Sequence, residues 1–330
     1  MTEILNQRYK IHGQLGRGGF GEVSEGLDLV LNRPVAIKRL HGFNLSDINR
    51  ERFLDEARVT SQLTHRCTLT LFDFGVSESG DPFLVTELLK GLSLHDYLKT
   101  HRLSLPQTIH LMREVGEALY EAHSLGVVHR DIKPANVFLH CPSTLISRGE
   151  VKMEIRLLDF GIAKVLAGAS VQTHAGLILG TPAYMAPEQI KDSAQVDHRC
   201  DLYSLGLVAW HALQGETPYQ AHNEYDLMRK QVDEPLPDLD LSKTEAHDGF
   251  RAILSQLTHK KREARYDDAM ALIDALDALC HNHIELNSFE PIPPPKGLLL
   301  ETTSRPMMLS DGAVRSIDEL IADNINQPPR

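Results

Sequence analysis

Four short motifs follow one another along this chain, and each contains residue types that can act on phosphate groups. In chain order they are Gly16-Arg17-Gly18-Gly19-Phe20-Gly21, Val35-Ala36-Ile37-Lys38, His129-Arg130-Asp131-Ile132-Lys133-Pro134-Ala135-Asn136 and Asp159-Phe160-Gly161. Glycines let a backbone approach phosphates closely, a lysine supplies a cation, an aspartate can accept a hydroxyl proton, and asparagine and aspartate oxygens bind hard metal ions. Together these parts could move the terminal phosphoryl group of ATP onto a hydroxyl.

The hydrophobic pattern predicts which elements must position these motifs. Residues 9–40 alternate apolar and polar types, which predicts an antiparallel sheet with the glycine loop as its first hairpin. A helix is predicted over residues 47–63 and two strands over 69–75 and 83–88, before a crossover at Gly91. Beyond Gly91 the pattern is helical, and the capping-box spacing of Ser104-Leu105-Pro106-Gln107 starts a helix that leads towards His129. Further helices are predicted over residues 200–213, 224–231, 249–258 and 267–280.

The glycine pattern alone is weak, because dinucleotide-binding folds use a similar one to open a helix. Here Gly16, Gly18 and Gly21 lie between two predicted strands, and Val23 follows in the second strand. This context favours a loop that covers phosphates from a sheet.

The order of the four motifs resembles that of Ser/Thr protein kinases, and most of all that of their bacterial members. The resemblance runs from about Tyr9 to about Cys280 and implies an α+β, two-lobed fold over residues 9–281. The small lobe would be an antiparallel sheet with one helix over residues 9–89, and the larger, mainly helical lobe would cover residues 90–281. The implied activity is transfer of the γ-phosphoryl group from ATP, with Mg²⁺ or alternatively Mn²⁺, to Ser and Thr hydroxyls of protein substrates.

The resemblance also implies a role for particular residues. Those expected to contact ATP, besides Lys38, are Leu15, Gly16, Gly18, Gly19, Phe20, Gly21, Val23, Ala36, Glu87 and Leu89. Lys38 would contact the α and β phosphates, Asp131 would act as the base, and Lys133 would steady the transferred phosphate. Asn136 and Asp159 would bind the metal.

Lys38 needs a carboxylate to hold it, and two candidates lie on the following predicted helix. Glu51 and Glu56 are five residues apart, so they differ by about 140° in helical phase. Glu56 shares the side of Phe53 and Leu63, which must face the sheet, so Glu56 is predicted to be the partner and Glu51 to face water.

The triplet Asp-Phe-Gly occurs twice. Asp73-Phe74-Gly75 precedes the predicted crossover, whereas Asp159-Phe160-Gly161 follows Asp131 and ends a predicted strand over residues 155–158. Only the second can converge on ATP-bound metal in this topology, and the first is predicted to be a structural turn.

Residues 162–185 would form an activation segment, and Arg130 would await a phosphate from it. Thr173 is the preferred site of autophosphorylation and Ser170 the second, while a segment that is ordered without phosphate is the alternative. By the same resemblance, the supporting residues are Thr181, a Glu188–Arg265 ion pair, and Asp201 as a brace of the catalytic loop.

Two features depart from the family pattern. Asn136 and Asp159 are 23 residues apart, about ten more than the resemblance implies, which predicts a surface loop over about residues 141–152. Ala135 replaces the Glu that is common in kinases that prefer arginine-containing peptides, so a preference for basic substrates is not expected.

Composition limits the partners and the compartment. The formal net charge of −11 without a dense basic run argues against nucleic acid or an anionic membrane as main partner, and no apolar stretch approaches a membrane span. Cys67, Cys141, Cys200 and Cys280 show no paired spacing, which predicts free thiols and a cytoplasmic location. The sequence does not reveal the oligomeric state.

Residues 282–330 differ in composition from the rest of the chain. Prolines at 291 and 293–295 predict an extended spacer. Ser316-Ile317-Asp318-Glu319 has capping-box spacing, and its apolar residues predict a short amphipathic helix over 316–325. Such a helix would dock on the catalytic domain or on a partner protein, because it is too short to be stable alone. The alternative is a disordered acidic tail.

Two other functional classes compete with an active protein kinase. A pseudokinase that serves as a nucleotide-binding scaffold would usually lack at least one of the chemical residues, yet Lys38, Glu56, Asp131, Asn136 and Asp159 are all present. A small-molecule phosphotransferase is disfavoured by Lys133 and by the complete segment Ala186-Pro187-Glu188.

Overall fold

The structure, a computed structural model, describes residues 3–18, 21–40, 47–142, 152–160, 182–191, 196–241, 245–283, 286 and 290–295. The predicted roles of Gly19, Phe20, Ser170, Thr173 and Thr181 lie outside these residues. The same holds for the 316–325 helix and for most of the predicted 141–152 loop.

The N-terminal lobe contains a six-stranded antiparallel sheet. Its strands are β1 (Ile4–Leu5), β2 (Tyr9–Gly18), β3 (Gly21–Asp28), β4 (Arg33–Leu40), β5 (Leu71–Val76) and β6 (Pro82–Glu87), in the order β1-β2-β3-β4-β6-β5. Val35 and Ile37 of β4 are fully buried and pack with Tyr9 and Val85, because alternate side chains of a strand face the same side.

Helix α1 (Asp47–Thr60) packs against the other side of this sheet. Phe53 and Ala57, four residues apart on one helix face, are fully buried and contact Leu40 and Leu84 of the sheet. Glu51 is exposed, as its helical phase predicts.

The C-terminal lobe is mainly helical, with a three-stranded sheet next to the crossover. Its helices are α2 (Leu94–Leu98), α3 (Leu105–Ser124), α4 (Pro187–Lys191), α5 (Arg199–Gln214), α6 (Glu224–Asp233), α7 (Glu245–Leu257) and α8 (Ala269–Asn282). The strands are β7 (Gly91–Ser93), β8 (Val137–His140) and β9 (Glu154–Leu157), in that order. Every residue of α5 from Cys200 to Leu213 is buried, so this mostly apolar helix is covered on all sides and forms the centre of the lobe.

Two element boundaries, the start of α3 and the crossover at Gly91, lie where the sequence predicts them. Ser104 caps α3, and the Ser104 N–H in turn donates to the Gln107 side-chain oxygen Oε1 at 3.0 Å. Gly91 begins a short strand rather than a simple crossover. It has φ of 142°, and a Cβ there would overlap the Leu139 carbonyl, so only glycine allows this approach of β7 to β8.

These two lobes confirm the predicted α+β architecture. The proline segment 291–295, predicted to be an extended spacer, contains one residue that packs against the large lobe. Ile292 is only 1% exposed and belongs to the main hydrophobic cluster of the large lobe. Composition alone cannot reveal such packing, because prolines are compatible both with solvated linkers and with extended segments packed on a domain.

Candidate functional site

The glycine loop, Val23 and Lys38 lie side by side on three neighbouring strands. Val23 of β3 pairs with Gly16 of β2 on one side and with Lys38 of β4 on the other. Gly21 has φ of 153°, and a Cβ at that position would overlap the Arg39 carbonyl. The hairpin therefore needs glycine at residue 21, and its register brings the loop next to the lysine.

An apolar cluster next to the crossover contains Leu89, one of the predicted nucleotide residues. Leu89, Phe138 and Leu158 are nearly or fully buried and contact one another. Leu15 and Ala36 are also buried, at 6% and 7% exposure. Such a set of side chains suits the flat, apolar faces of an adenine ring.

Glu87 is the last residue of β6, opposite Val35 of β4, and its carboxylate contacts other groups of the protein. The Glu87 side chain accepts a hydrogen bond from Thr70 N at 3.0 Å and lies 3.8 Å from the Arg156 guanidinium. Any nucleotide contact at this position would therefore involve the Glu87 backbone.

Asp131 lies in the catalytic loop, residues 129–136, together with two other polar side chains of that loop. The Asn136 side-chain amide donates to the Asp131 carboxylate at 2.9 Å and to the Asp131 carbonyl at 2.8 Å. Lys133 Nζ lies 3.1 Å from the same carboxylate. A base, a cation and an amide thus lie within direct contact of each other.

Asp201 supports the catalytic loop through hydrogen bonds to its backbone. Buried on helix α5, it accepts hydrogen bonds from His129 N at 2.8 Å and from Arg130 N at 2.7 Å. Arg130 has a left-handed φ of 62°, a conformation that costs free energy in a non-glycine residue and needs such support. Burial favours the neutral form of Asp201, but hydrogen bonds to the charged form and the charges of neighbouring histidines together outweigh it and lower the pKa of this carboxyl.

Two histidines that the sequence analysis gave no role, His123 and His129, also hold the catalytic loop in place. The His123 ring, at the end of α3, contacts the Asp201 carboxylate at 2.9 Å. The His129 ring contacts the Leu158 carbonyl at 2.7 Å and packs against Phe160, with ring centres 4.8 Å apart. The only signal for His123 was a polar residue at the end of an apolar helical stripe.

Asp159, the first residue of the second Asp-Phe-Gly triplet, lies next to the lysine of β4. Lys38 Nζ lies 2.6 Å from Asp159 Oδ1, and this ion pair joins the small lobe to the large one. Leu158 N donates to the Asn136 carbonyl at 2.8 Å, which keeps Asp159 next to the catalytic loop.

The predicted ion pair between Lys38 and Glu56 differs in this conformation. Among the described residues, the carboxylate that pairs with Lys38 belongs to Asp159. Glu56 is partly buried, and burial raises its pKa while the positive charge of Arg130 opposes the rise. The helical phase places Glu56 on the partly buried side of α1, as predicted. The position of α1 relative to the large lobe determines whether Glu56 lies near Lys38 or near Arg130.

Asn136 and Asp159 fit a hard divalent metal ion by the chemistry of their donors. The two hydrogen bonds of the Asn136 side chain use its nitrogen, which leaves the amide oxygen as a donor to a metal. The Asp159 side chain is 46% exposed, so its carboxylate is accessible from the cleft. Oxygen donors of this kind are those that Mg²⁺ and Mn²⁺ prefer.

The first Asp-Phe-Gly triplet has a different role. Asp73 lies in β5, where the register shifts between Leu71 and Asp73, so it occupies a bulged strand and not a turn. Its carboxylate accepts hydrogen bonds from the Tyr9 hydroxyl and, at 3.0 Å, from Arg8. Asp73 therefore belongs to a network within the small lobe.

Glu188 and Arg265 form a bidentate ion pair inside the large lobe. The two guanidinium nitrogens lie 2.6 and 2.8 Å from the two carboxylate oxygens, and the Arg265 side chain is fully buried. Arg265 also donates to the His259 and Arg199 carbonyls and stacks on Tyr203 at 4.8 Å. The pair joins α4 to α5 and to the residues before α8.

Buried histidines predict that the protein loses stability in mild acid. Burial, together with nearby His95, lowers the pKa of His211 from 6.5 to about 4, and burial also lowers the pKa values of His95, His110 and His140. The unfolded chain therefore takes up protons near pH 6.5 that the native chain refuses, so stability is full above pH 6.5 and falls towards pH 4. Each such group contributes a loss of at most about 1.4 kcal/mol per pH unit.

Urea unfolding at pH 7.5, 6.5 and 5.5 measures this loss. The His211→Gln variant should show a smaller fall than the wild type, because glutamine does not titrate and can still pair with the Tyr184 hydroxyl, which lies 2.6 Å from His211 Nδ1. Exposed His222→Gln is the matched control and should keep the wild-type fall. Equal falls in wild type and His211→Gln would contradict a role for His211.

Comparisons with known proteins agree with this geometry. The family model "Protein kinase domain" matches residues 9–282. Serine/threonine-protein kinase pkn2 of Myxococcus xanthus is 36% identical over 294 residues, which cover 87% of this chain and 34% of that protein. PknL of Mycobacterium tuberculosis is 32% identical over 280 residues, covering 84% of this chain and 67% of PknL. The chain thus spans about one third of the first relative and about two thirds of the second.

A solved structure with a similar fold is the PknI kinase domain of Mycobacterium tuberculosis. The two chains are 23% identical with a TM-score of 0.65, and the match covers 84% of this chain and 97% of that domain. Within the residues that the structure describes, none of the helices has both the length and the apolar character that crossing a bilayer requires. The family match over most of the chain, the curated relatives and the shared fold together confirm the resemblance: the chain belongs to the protein kinase family, among its bacterial serine/threonine members.

Proposed function

We propose that this chain is an active serine/threonine protein kinase that uses ATP and Mg²⁺. The observation that carries the proposal is the convergence of the motif residues at one cleft. Lys38 contacts Asp159, and Asp159 follows a residue that is hydrogen-bonded to Asn136, which itself contacts Asp131. The named relatives, all serine/threonine kinases, support the same activity.

The proposed roles follow from these contacts. Asp131 accepts the proton of a Ser or Thr hydroxyl, whose oxygen attacks the γ-phosphorus as the bond to the ADP oxygen breaks. Lys133, within 3.1 Å of Asp131, steadies the transferred phosphate. A metal bound by Asn136 and Asp159 would offset the negative charge of the phosphates.

Lys38 must change partner for this reaction. In the present conformation Lys38 forms an ion pair with Asp159. In the reaction, Lys38 is needed to contact the nucleotide phosphates and Asp159 is needed to bind the metal ion. A kinase of this family requires the lysine–glutamate pair and the metal-binding aspartate together. We therefore assign Glu56 as the partner of Lys38 in the active state, which it reaches when α1 moves closer.

Phosphorylation of the activation segment would favour that state. Thr173, and Ser170 as the second choice, would carry a charge of about −1.5 to −2 that pairs with Arg130. A phosphate at Arg130 would compete with Glu56, because Glu56 experiences the positive charge of that arginine in the present conformation. The competition gives the phosphate a physical means of releasing Glu56 towards Lys38.

The remaining parts of the proposal concern context. The four cysteines are free and buried, which suits the reducing cytoplasm. Protein substrates are expected without a preference for basic residues, because Ala135 offers no charge. The amphipathic pattern at 316–325 is assigned to docking, on the catalytic domain or on a partner protein.

Transfer of labelled γ-phosphate to a generic protein substrate tests the function directly. The wild-type chain should label serine and threonine, the Asp131→Asn variant should not, and mass spectrometry of the wild-type chain should find phosphate at Thr173 or Ser170. Nucleotide binding by the wild type without any transfer would refute the proposal and favour a nucleotide-binding scaffold. Full activity with neither activation-segment residue modified would refute only the regulatory part.

A further inference from the structure

A proline-containing segment packs against the large lobe beyond the residues that the family model matches. The match ends at residue 282, yet Ile292 belongs to the main hydrophobic cluster and is 1% exposed. Its neighbours Pro291 and Pro293 are exposed. The segment thus turns one apolar side chain inward and keeps the flanking rings at the surface. We call residues 290–295 the C-terminal clasp.

Backbone hydrogen bonding fixes the clasp in place. Met153 N donates to the Ile292 carbonyl at 3.2 Å, and the Gln107 side chain donates to the Pro291 carbonyl at 3.5 Å. A proline has no N–H and favours extended backbone, so such a segment can pair along the edge of a sheet through its carbonyls alone. The composition that resembles a spacer therefore also suits an edge-covering segment.

One end of the clasp joins the start of α3. The Ser104 hydroxyl donates to the Glu290 carboxylate at 2.9 Å, while Ser104 also caps the helix. Helix α3 ends at Ser124, five residues before His129 of the catalytic loop. The clasp thus contacts the element that leads into the catalytic loop.

The other contact of the clasp lies at the start of β9. This strand is at the edge of the β7-β8-β9 sheet, and its far end is covered where Leu69 N donates to the Leu157 carbonyl at 3.2 Å. The clasp covers the near end at Met153, which is itself buried. Because β9 runs directly into Leu158 and Asp159, an edge held at both ends keeps Asp159 in register with the catalytic loop.

We propose that the C-terminal clasp is a positioning element of the phosphotransfer site. Ile292 acts as the positioning residue, through Met153 and β9 on Asp159, and does not itself touch substrate. The proposal rests on the proposed kinase function, and it extends the working catalytic unit to residue 295.

Substitutions of Ile292 in the full-length chain test this role. Ile292→Ala removes the buried side chain, Ile292→Val removes one methyl group, and Pro293→Ala is the matched control at an exposed neighbour. Steady-state kinetics with ATP and Mg²⁺ are measured at a temperature where circular dichroism shows each variant to be fully folded. Hydrogen exchange of residues 153–157 is compared with that of α5, to which no hydrogen bond from the clasp runs among the described residues.

The Ile292→Ala variant should show a KM for ATP with Mg²⁺ that is raised roughly tenfold, because small displacements of a positioned group have large effects. Ile292→Val should shift KM in the same direction by less, so the test does not depend on the alanine variant folding. Exchange should accelerate in residues 153–157 and not in α5, and Pro293→Ala should behave as wild type.

Two results would overturn the inference. One is an unchanged KM in both fully folded Ile292 variants, since the clasp would then be a stabilising contact only. The other is unchanged exchange in residues 153–157. An inactive wild type would instead refute the proposed function, and the exchange measurement would still decide whether the clasp holds β9.

Discussion

Replacing Asp159 by asparagine is expected to lower phosphoryl transfer by roughly a hundredfold or more, with the fold unchanged. Asparagine has the same shape, but it lacks the charge that pairs with Lys38 in this conformation and that a metal ion requires. The loss should appear in kcat under saturating ATP and Mg²⁺, with the wild-type circular dichroism spectrum retained. A variant with wild-type kcat would show that Asp159 is not a metal-binding residue.

The same triplet elsewhere in the chain supplies a matched control. Asp73→Asn changes the same residue type in the same Asp-Phe-Gly context, yet Asp73 contacts Tyr9 and Arg8 of the small lobe. The kcat of this variant should stay near the wild-type value, although its melting temperature should fall, because a hydrogen-bonded carboxylate loses its charge. Comparable activity losses in the two variants would contradict the assignment of the second triplet to the site.

Breaking the Glu188–Arg265 pair should have the largest effect on stability. Arg265→Met leaves the Glu188 carboxylate, whose side chain is 13% exposed, without its cation, and removal of one partner of a buried pair costs about 3–5 kcal/mol. The Arg265 donors to two backbone carbonyls are lost as well. Denaturant unfolding monitored by circular dichroism measures the change in free energy.

Two further variants separate the burial of a charge from the loss of an ion pair. The double change Glu188→Leu with Arg265→Met should recover part of the stability, because no unpaired charge then stays buried. Arg58→Met breaks an exposed pair with Asp55, in which the side chains are 63% and 70% exposed, and should change stability by less than about 1 kcal/mol. If Arg265→Met unfolds no more readily than Arg58→Met, the buried pair is not a main support of the lobe.

Four short motifs in one order identified the family, and the resemblance implied the two-lobed architecture. The main helices could be predicted because they depend on local signals. The α3 start at Ser104 follows from a capping pattern within four residues, and the inward phase of Glu56 follows from the helical period. The order of the motifs also separated Asp159 from Asp73, since chain order in a known topology decides which triplet can reach the nucleotide.

The docking of whole elements determines which groups meet across long separations in sequence. Lys38 pairs with Asp159 rather than Glu56, His123 contacts Asp201, and Ile292 packs next to Met153. Neither the periodicity nor the composition of the sequence predicts these contacts, because each contact depends on how whole elements dock. The clasp shows the limit most clearly: prolines favour extended backbone whether a segment is solvated or buried, and only the position of a free sheet edge determines which of the two it becomes.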